Sequence, residues 1–316
     1  MRFYFIVYLR FLALLLVVIG HGICVYTPTW RAHVEPIYND IYTNTVTIIY
    51  LIHMPIFSLI SGFLYIYIRK KGGYDSFWLF ISKKLKRLLV PLLIFGLFEC
   101  TFDLGGDYSS LLLGPLHLWY LNFLLKCFVI TYIIDRWLIK RPWIIAPLIM
   151  ALKIGQGVMP QFFSDDNFYR LYPYFLLGIG LQEITSRGLI NNGSSQRLWI
   201  HTIMLLSIVL FCVAFIYNKG VGLGAMLFVV SLFLCLYICP ITGVPSWLSN
   251  IDKCSMGIYL FHHPIMWNFV DTNCGRTLLI EHNFLTPFIL IVCTFGFSWI
   301  LTYLISKVKY LKIIIG

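Results

Sequence analysis

Ten stretches of mostly apolar residues, at 3–25, 46–68, 88–104, 116–135, 142–159, 168–185, 198–217, 221–242, 255–271 and 284–306, leave this chain little choice of fold. Each is close to the roughly 20 residues that a helix needs to cross about 30 Å of hydrocarbon. In lipid the backbone must satisfy its own N–H and C=O groups, and successive runs of this length do so as helices. The sequence therefore predicts an all-α integral membrane protein with ten transmembrane helices. Lys153, Gly155 and Gly157 weaken the fifth stretch, and Pro173 and Gly178 the sixth. Composition agrees, with 59% hydrophobic residues, 12% charged residues and a mean hydropathy of +0.84, against about 25% charged in soluble proteins.

The net charge of +11 would suggest nucleic acid in a soluble protein. Here the basic residues gather in short loops between apolar runs, where they orient the chain, so no nucleic-acid partner is expected. With the N-terminus inside, the cytoplasmic side receives the clusters at 69–71, 83–87 and 136–141, with Arg2, Arg187, Arg197, Lys253, Lys307, Lys309 and Lys312. The opposite side has Arg31, Lys219 and Arg276. This asymmetry predicts that both termini are cytoplasmic. Arg10 interrupts the first apolar run and no A-x-A site follows it, so a retained span is expected rather than a cleaved signal peptide. No repeat or soluble module stands out, and residues 1–316 read as one transmembrane domain.

The first stretch, FYFIVYLRFLALLLVVIGHGIC, is nearly free of polar side chains apart from Arg10 and His21. An arginine near the middle of a span costs about 2.5–3.5 kcal/mol by insertion scales, so such a residue is expected to face the protein interior and act there. Eleven helical steps return to within about 20° of the starting direction, so both side chains share a face, about 16 Å apart along the axis. The pair points to a buried polar cavity, with Arg10 in the inner half and His21 in the outer half.

His53 lies at a comparable depth in the second stretch, followed by Pro55, which should bend the helix, and Gly62, which allows close packing. A histidine with an ordinary pKa near 6.5 can take and return a proton around neutral pH. A lone one is as often a packed residue bonded to a carbonyl. Ser255, Tyr259 and His262 or His263 stack along one helical face, a stripe that also suits plain helix packing. His117-Leu118-Trp119-Tyr120 fits an interfacial aromatic belt as well as a pocket wall. Glu99, Lys126 and Lys153 are read as internal ion pairs. Lys83-Lys84-Leu85-Lys86-Arg87 could hold an anionic phosphate at the inner mouth, although orientation alone accounts for it. The nine cysteines show no C-x-x-C pair or Cys/His ligand spacing, so they read as small apolar residues and no metal is expected.

Together these residues resemble the acyltransferase 3 family of integral membrane acyltransferases. Arg10 to His21 is similar to its R-x10-H signature, and HMPIFSLISGF at 53–63 to its second-helix pattern. Lys84-Leu85-Lys86-Arg87 resembles R-x-x-R with lysine in first place. His117-Leu118-Trp119-Tyr120-Leu121 is similar to H-L-W-[FY]-L, and Ser255-x-x-x-Tyr259 through His262 to its S-x-x-x-Y and Y-L-x-H region.

The resemblance implies an O-acyltransferase of the polysaccharide and O-antigen acetylation type, in a bacterial inner membrane. It would move an acyl group, usually acetyl, from cytoplasmic acyl-CoA to a hydroxyl of a cell-surface or lipid-linked glycan. His21 and Arg10 would be catalytic, and Lys84 and Arg87 would bind CoA. His53, His117, Trp119, Ser255, Tyr259 and His262 would line the substrate pocket. Lysine at 84 acts as a point charge, so bidentate phosphate recognition is not expected there. The rival class is a polytopic transporter or glycan flippase, which also needs intramembrane charge and a central cavity.

Overall fold

The computed structural model describes residues 3–28, 37–74, 76–155, 166–190 and 193–316. Arg2, Arg31, Gly157 and the close of the fifth stretch at 156–159 lie outside them. Among the described residues every regular element is helical. The α-helices are α1 (Tyr4–Ile23), α2 (Asp40–Lys70), α3 (Phe77–Lys84), α4 (Val90–Phe102), α5 (Trp119–Lys140) and α6 (Ile145–Gly155). They continue with α7 (Asp166–Ser186), α8 (Ser194–Ile216), α9 (Val221–Ile238), α10 (Ser246–Val270), α11 (Asn273–Glu281) and α12 (Leu285–Lys307).

Each of the ten apolar stretches falls on a helix. Among the described residues, six helices are long and apolar enough to cross a membrane: α1, α2, α5, α8, α9 and α12. The segment Pro142–Gly155 is apolar but shorter, and α4 has 13 residues. α2 runs through Pro55 as one helix of 31 residues.

The chain divides into two compact units. The first comprises residues 1–10, 54–81 and 126–244. Here α2 meets α7 backbone to backbone: a Cβ on Gly62 would lie 1.9 Å from the Phe175 carbonyl oxygen, and one on Gly178 would lie 2.0 Å from that of Leu59. Small residues permit such an approach, and packing between apolar helices depends on it. Asp135, fully buried, accepts from the Tyr65 hydroxyl and the Arg69 Nε, each at 2.7 Å. Glu183 binds Lys70, and Arg187 at 2.8 Å.

The second unit comprises residues 11–53, 82–125 and 245–316. In it α12 lies along α10, so closely that a Cβ on Gly257 would meet the Thr302 side chain at 2.3 Å. Gly22 of α1 faces Ile291 of α12 and Met266 of α10 in the same way. The short α11 starts at a Thr272 cap, whose hydroxyl oxygen accepts from the Gly275 N–H at 3.0 Å, satisfying a donor that an uncapped helix start leaves open.

Candidate active site

The second unit gathers four imidazoles and a carboxylate from four parts of the chain. His21 lies on the last turn of α1. His262 and His263 sit on α10, and Glu99 lies on α4. His117 is aimed inward by a tight turn. Gly114 takes φ +90°, Pro115 is extended, and Leu116 is held at φ +44°. A positive φ is costly for a branched side chain, and such strain concentrates at functional sites. The turn is tied to α5 by Asn122, whose Nδ2 donates to the Leu113 carbonyl at 3.0 Å.

His21 Nδ1 lies 2.8 Å from His262 Nε2, with the rings stacked at 5.0 Å between centroids. The other nitrogen of His262, Nδ1, is 3.1 Å from the Ile258 carbonyl one turn earlier. A carbonyl only accepts, so Nδ1 carries the hydrogen, and in the neutral ring Nε2 is an acceptor. His21 must then donate from Nδ1, which leaves its Nε2 with a free lone pair. The geometry selects one tautomer of His21, the one with a base at Nε2.

His117 stacks on His263 at 4.6 Å between centroids and stands edge-on to His262 at 5.2 Å. Its Nδ1 approaches Glu99 Oε1 at 2.9 Å, and His263 Nδ1 approaches the same oxygen at 3.8 Å. Neither approach is aligned as a hydrogen bond, and neither Glu99 oxygen nor either His117 ring nitrogen has a hydrogen-bond partner. The Tyr259 and Leu260 carbonyls lie near His117 without aligning as acceptors. Pro264, lacking an N–H, cannot close the helical bond to the Leu260 carbonyl.

The residues expected from the sequence divide clearly. His21, His117 and His262 come together. Tyr259 is beside them, but its hydroxyl donates to the His117 backbone carbonyl, so it anchors α10 to the turn before α5. His53 is one ring removed. Its Nδ1 is bonded to the Ile49 carbonyl at 2.6 Å, and Tyr50 stands between, 5.3 Å from the His53 ring and 6.2 Å from that of His21. Ser255 is half-buried on α10, seven residues or about two turns before His262. Trp119 packs on Tyr120 and Phe123 along α5. Arg10 is half-buried on α1, eleven residues before His21, and belongs to the first unit.

Lys84 ends α3, and Arg87 lies in a π-helical turn, Leu85–Leu89, that leads into α4. Pro91 explains the widened turn: its missing N–H and its ring both disfavour an ordinary α turn ending there. Arg87 is exposed, whereas Lys84 is 9% exposed. Burial, and then the neighbouring Arg87 charge, push the Lys84 ammonium down to about 7.

Glu99 and His263 complete the cluster, although the resemblance places neither in the pocket and the sequence offers His263 only as the alternative to His262. Adjacent histidines on a helix point about 100° apart. Both are used because His117 sits between them. Glu99 has imidazoles for neighbours, where the sequence suggested an ion pair.

A family model described as an acyltransferase domain matches residues 3–303, across both units. No curated protein and no solved structure matches the chain.

Proposed function

The chain belongs to the acyltransferase 3 family, and from that premise we propose that this membrane acyltransferase moves an acyl group, acetyl in the simplest case, from acyl-CoA to a hydroxyl of a glycan. The observation that carries the reading is the His21–His262 pair at 2.8 Å, because it presents a base at His21 Nε2 inside a buried site. The acceptor hydroxyl gives its proton to that nitrogen as its oxygen attacks the thioester carbonyl. A C–O bond forms, the C–S bond breaks, and the proton passes to the departing sulfur, giving the ester and free CoA. General-base help of this kind is worth about 10²–10⁴-fold.

His262 acts through His21 as a positioning residue. Lys84 and Arg87 supply charge for the CoA phosphates. Arg10, about 16 Å along the helix from His21, binds the phosphate or pantetheine part of the donor, or orients His21 through intervening groups. His53, Trp119 and Ser255 line the approach.

On this reading the protein is a ten-span protein of a bacterial inner membrane with both termini cytoplasmic, taking CoA from inside and acting on a cell-surface or lipid-linked sugar. The positive-inside distribution of basic residues supports that orientation. Mass analysis of surface glycans from cells with and without the protein tests it. A lost acyl mass on one sugar is expected, and His21→Ala at normal membrane abundance should reproduce the loss. Unchanged glycans, or full activity in His21→Ala, would overturn the reading and favour a transporter.

A further inference from the structure

Glu99 is an unusual residue to bury in an apolar helix. Its side chain is 0% exposed, that of His117 is 1% exposed, and that of His263 is 10% exposed. Both carboxylate oxygens, both ring nitrogens of His117 and Nδ1 of His263 lack hydrogen-bond partners. A buried polar atom left unmatched costs on the order of 1–3 kcal/mol, and more when charged. One atom from each of the three residues lies within 4.8 Å of the others, and such a group of buried unmatched atoms calls for a shared partner.

We propose that Glu99, His117 and His263 bind a divalent transition-metal ion, most simply Zn2+. One ligand atom from each residue lies within 4.8 Å of the others. A tetrahedral zinc site with bonds of about 2.0–2.1 Å separates neighbouring ligand atoms by about 3.3 Å. The observed distances from Glu99 Oε1, 2.9 Å to His117 and 3.8 Å to His263, bracket that value. Two imidazoles and one carboxylate are a ligand set for zinc and its neighbours in the first transition row, whereas calcium and magnesium prefer oxygen throughout.

Near-parallel rings, 19° apart for His117 and His263, do not aim both lone pairs at one point, so one ring turns as the ion enters. The His117 ring can do so at little cost. Its Cβ–Cγ torsion is broad, and the Tyr259 and Leu260 carbonyls beside the ring are not aligned to hold either nitrogen. Three protein ligands leave a position open to water or another oxygen donor. The inference stands on these three side chains and does not depend on the acyl-transfer reading.

The full-length protein, purified in detergent from zinc-supplemented culture, is assayed for metals by mass spectrometry and then loaded with Co2+. About one zinc per chain and the visible bands of a four- or five-coordinate cobalt site are expected. Glu99→Gln and His263→Gln, each eluting as the wild type does, should lower zinc content at least tenfold and abolish the bands. His201→Ala, on the exposed surface of α8, should change neither. Wild-type protein that takes up neither ion overturns the proposal whatever the variants do. Equal metal content in wild type and both triad variants also overturns it.

Discussion

Asp135 and Glu99 are both fully buried carboxylates in an apolar helical protein, and the two units treat them in opposite ways. Asp135 receives a guanidinium and a phenol, each at 2.7 Å. Among the described residues Glu99 has no lysine or arginine partner, and two imidazoles approach its Oε1. A charge in a medium of low dielectric is tolerable when a partner offsets its lost hydration. In the first arrangement the charge is offset through Oδ2 by a guanidinium, although Oδ1 has no hydrogen-bond partner. In the second, charge and proton positions are left adjustable, a property that chemistry requires and packing does not.

The sharpest way to break this comparison is to remove each carboxylate in metal-free protein. Asp135→Ala leaves the Arg69 guanidinium without its carboxylate and the Tyr65 hydroxyl without its acceptor. Removing one partner of a buried pair costs about 3–5 kcal/mol. Glu99→Gln strands no cation, so a loss under about 1 kcal/mol is expected, in the range of ordinary substitutions. Thermal unfolding after EDTA treatment measures both. Equal losses would mean that the two carboxylates do the same structural work.

Next in size is the glycine crossing in the first unit. Gly178→Ala drives a Cβ to 2.0 Å from the Leu59 carbonyl oxygen, and backbone cannot step aside. Overpacking of this kind costs about 1–3 kcal/mol. Gly296→Ala on α12, where a Cβ meets nothing within 4 Å, should be neutral or slightly stabilising. A matched drop in unfolding temperature for both would deny that close helix approach matters at Gly178.

A comparable free energy, read in rate, belongs to His262. Its loss leaves His21 Nδ1–H unmatched and its tautomer unfixed, a penalty of about 1–3 kcal/mol, or roughly 5- to 150-fold in kcat. His262→Gln places a carbonyl oxygen near the old Nε2 position and should recover part of that loss, with KM little changed. If His262→Ala and His262→Gln fall equally and through KM, His262 is a wall of the pocket.

Much of the fold was legible because hydropathy marks helices that lipid or core must surround. α1 and α12 agree with their apolar runs to within a few residues. α10 begins at Ser246, nine residues before the apolar stretch at 255, because its first turns carry Asp252 and Lys253, which hydropathy ignores and a helix accepts. α11 has too few apolar residues to register. At the site, Arg10 and His21 stood out through a cost visible in one helix. The His21–His262 bond joins residues 241 apart, and no local pattern encodes such a pairing. Glu99 looked like half of an ion pair because sequence shows charges and not which way they face.

The smallest effect contrasts the two cations of the basic motif. Lys84 is held down to about 7 by burial and by Arg87, whereas Arg87 is exposed and arginine stays charged at every working pH. A lysine depressed in the folded state is neutral there while still protonated when unfolded. Stability therefore rises as pH climbs from about 7 toward the ordinary value of about 10.4. On the proposed reading, in which Lys84 meets the CoA phosphates, binding runs the other way, because only the protonated ammonium attracts them. Raising the pH through 7 should increase KM for acetyl-CoA by a few-fold and leave kcat nearly unchanged, apart from any titration at the histidines. Lys84→Arg keeps the charge and should flatten the KM profile. A wild-type KM that is flat between pH 6 and about 8.5, or a Lys84→Arg profile that still rises, would show that Arg87 alone meets the donor and that Lys84 is buried for packing.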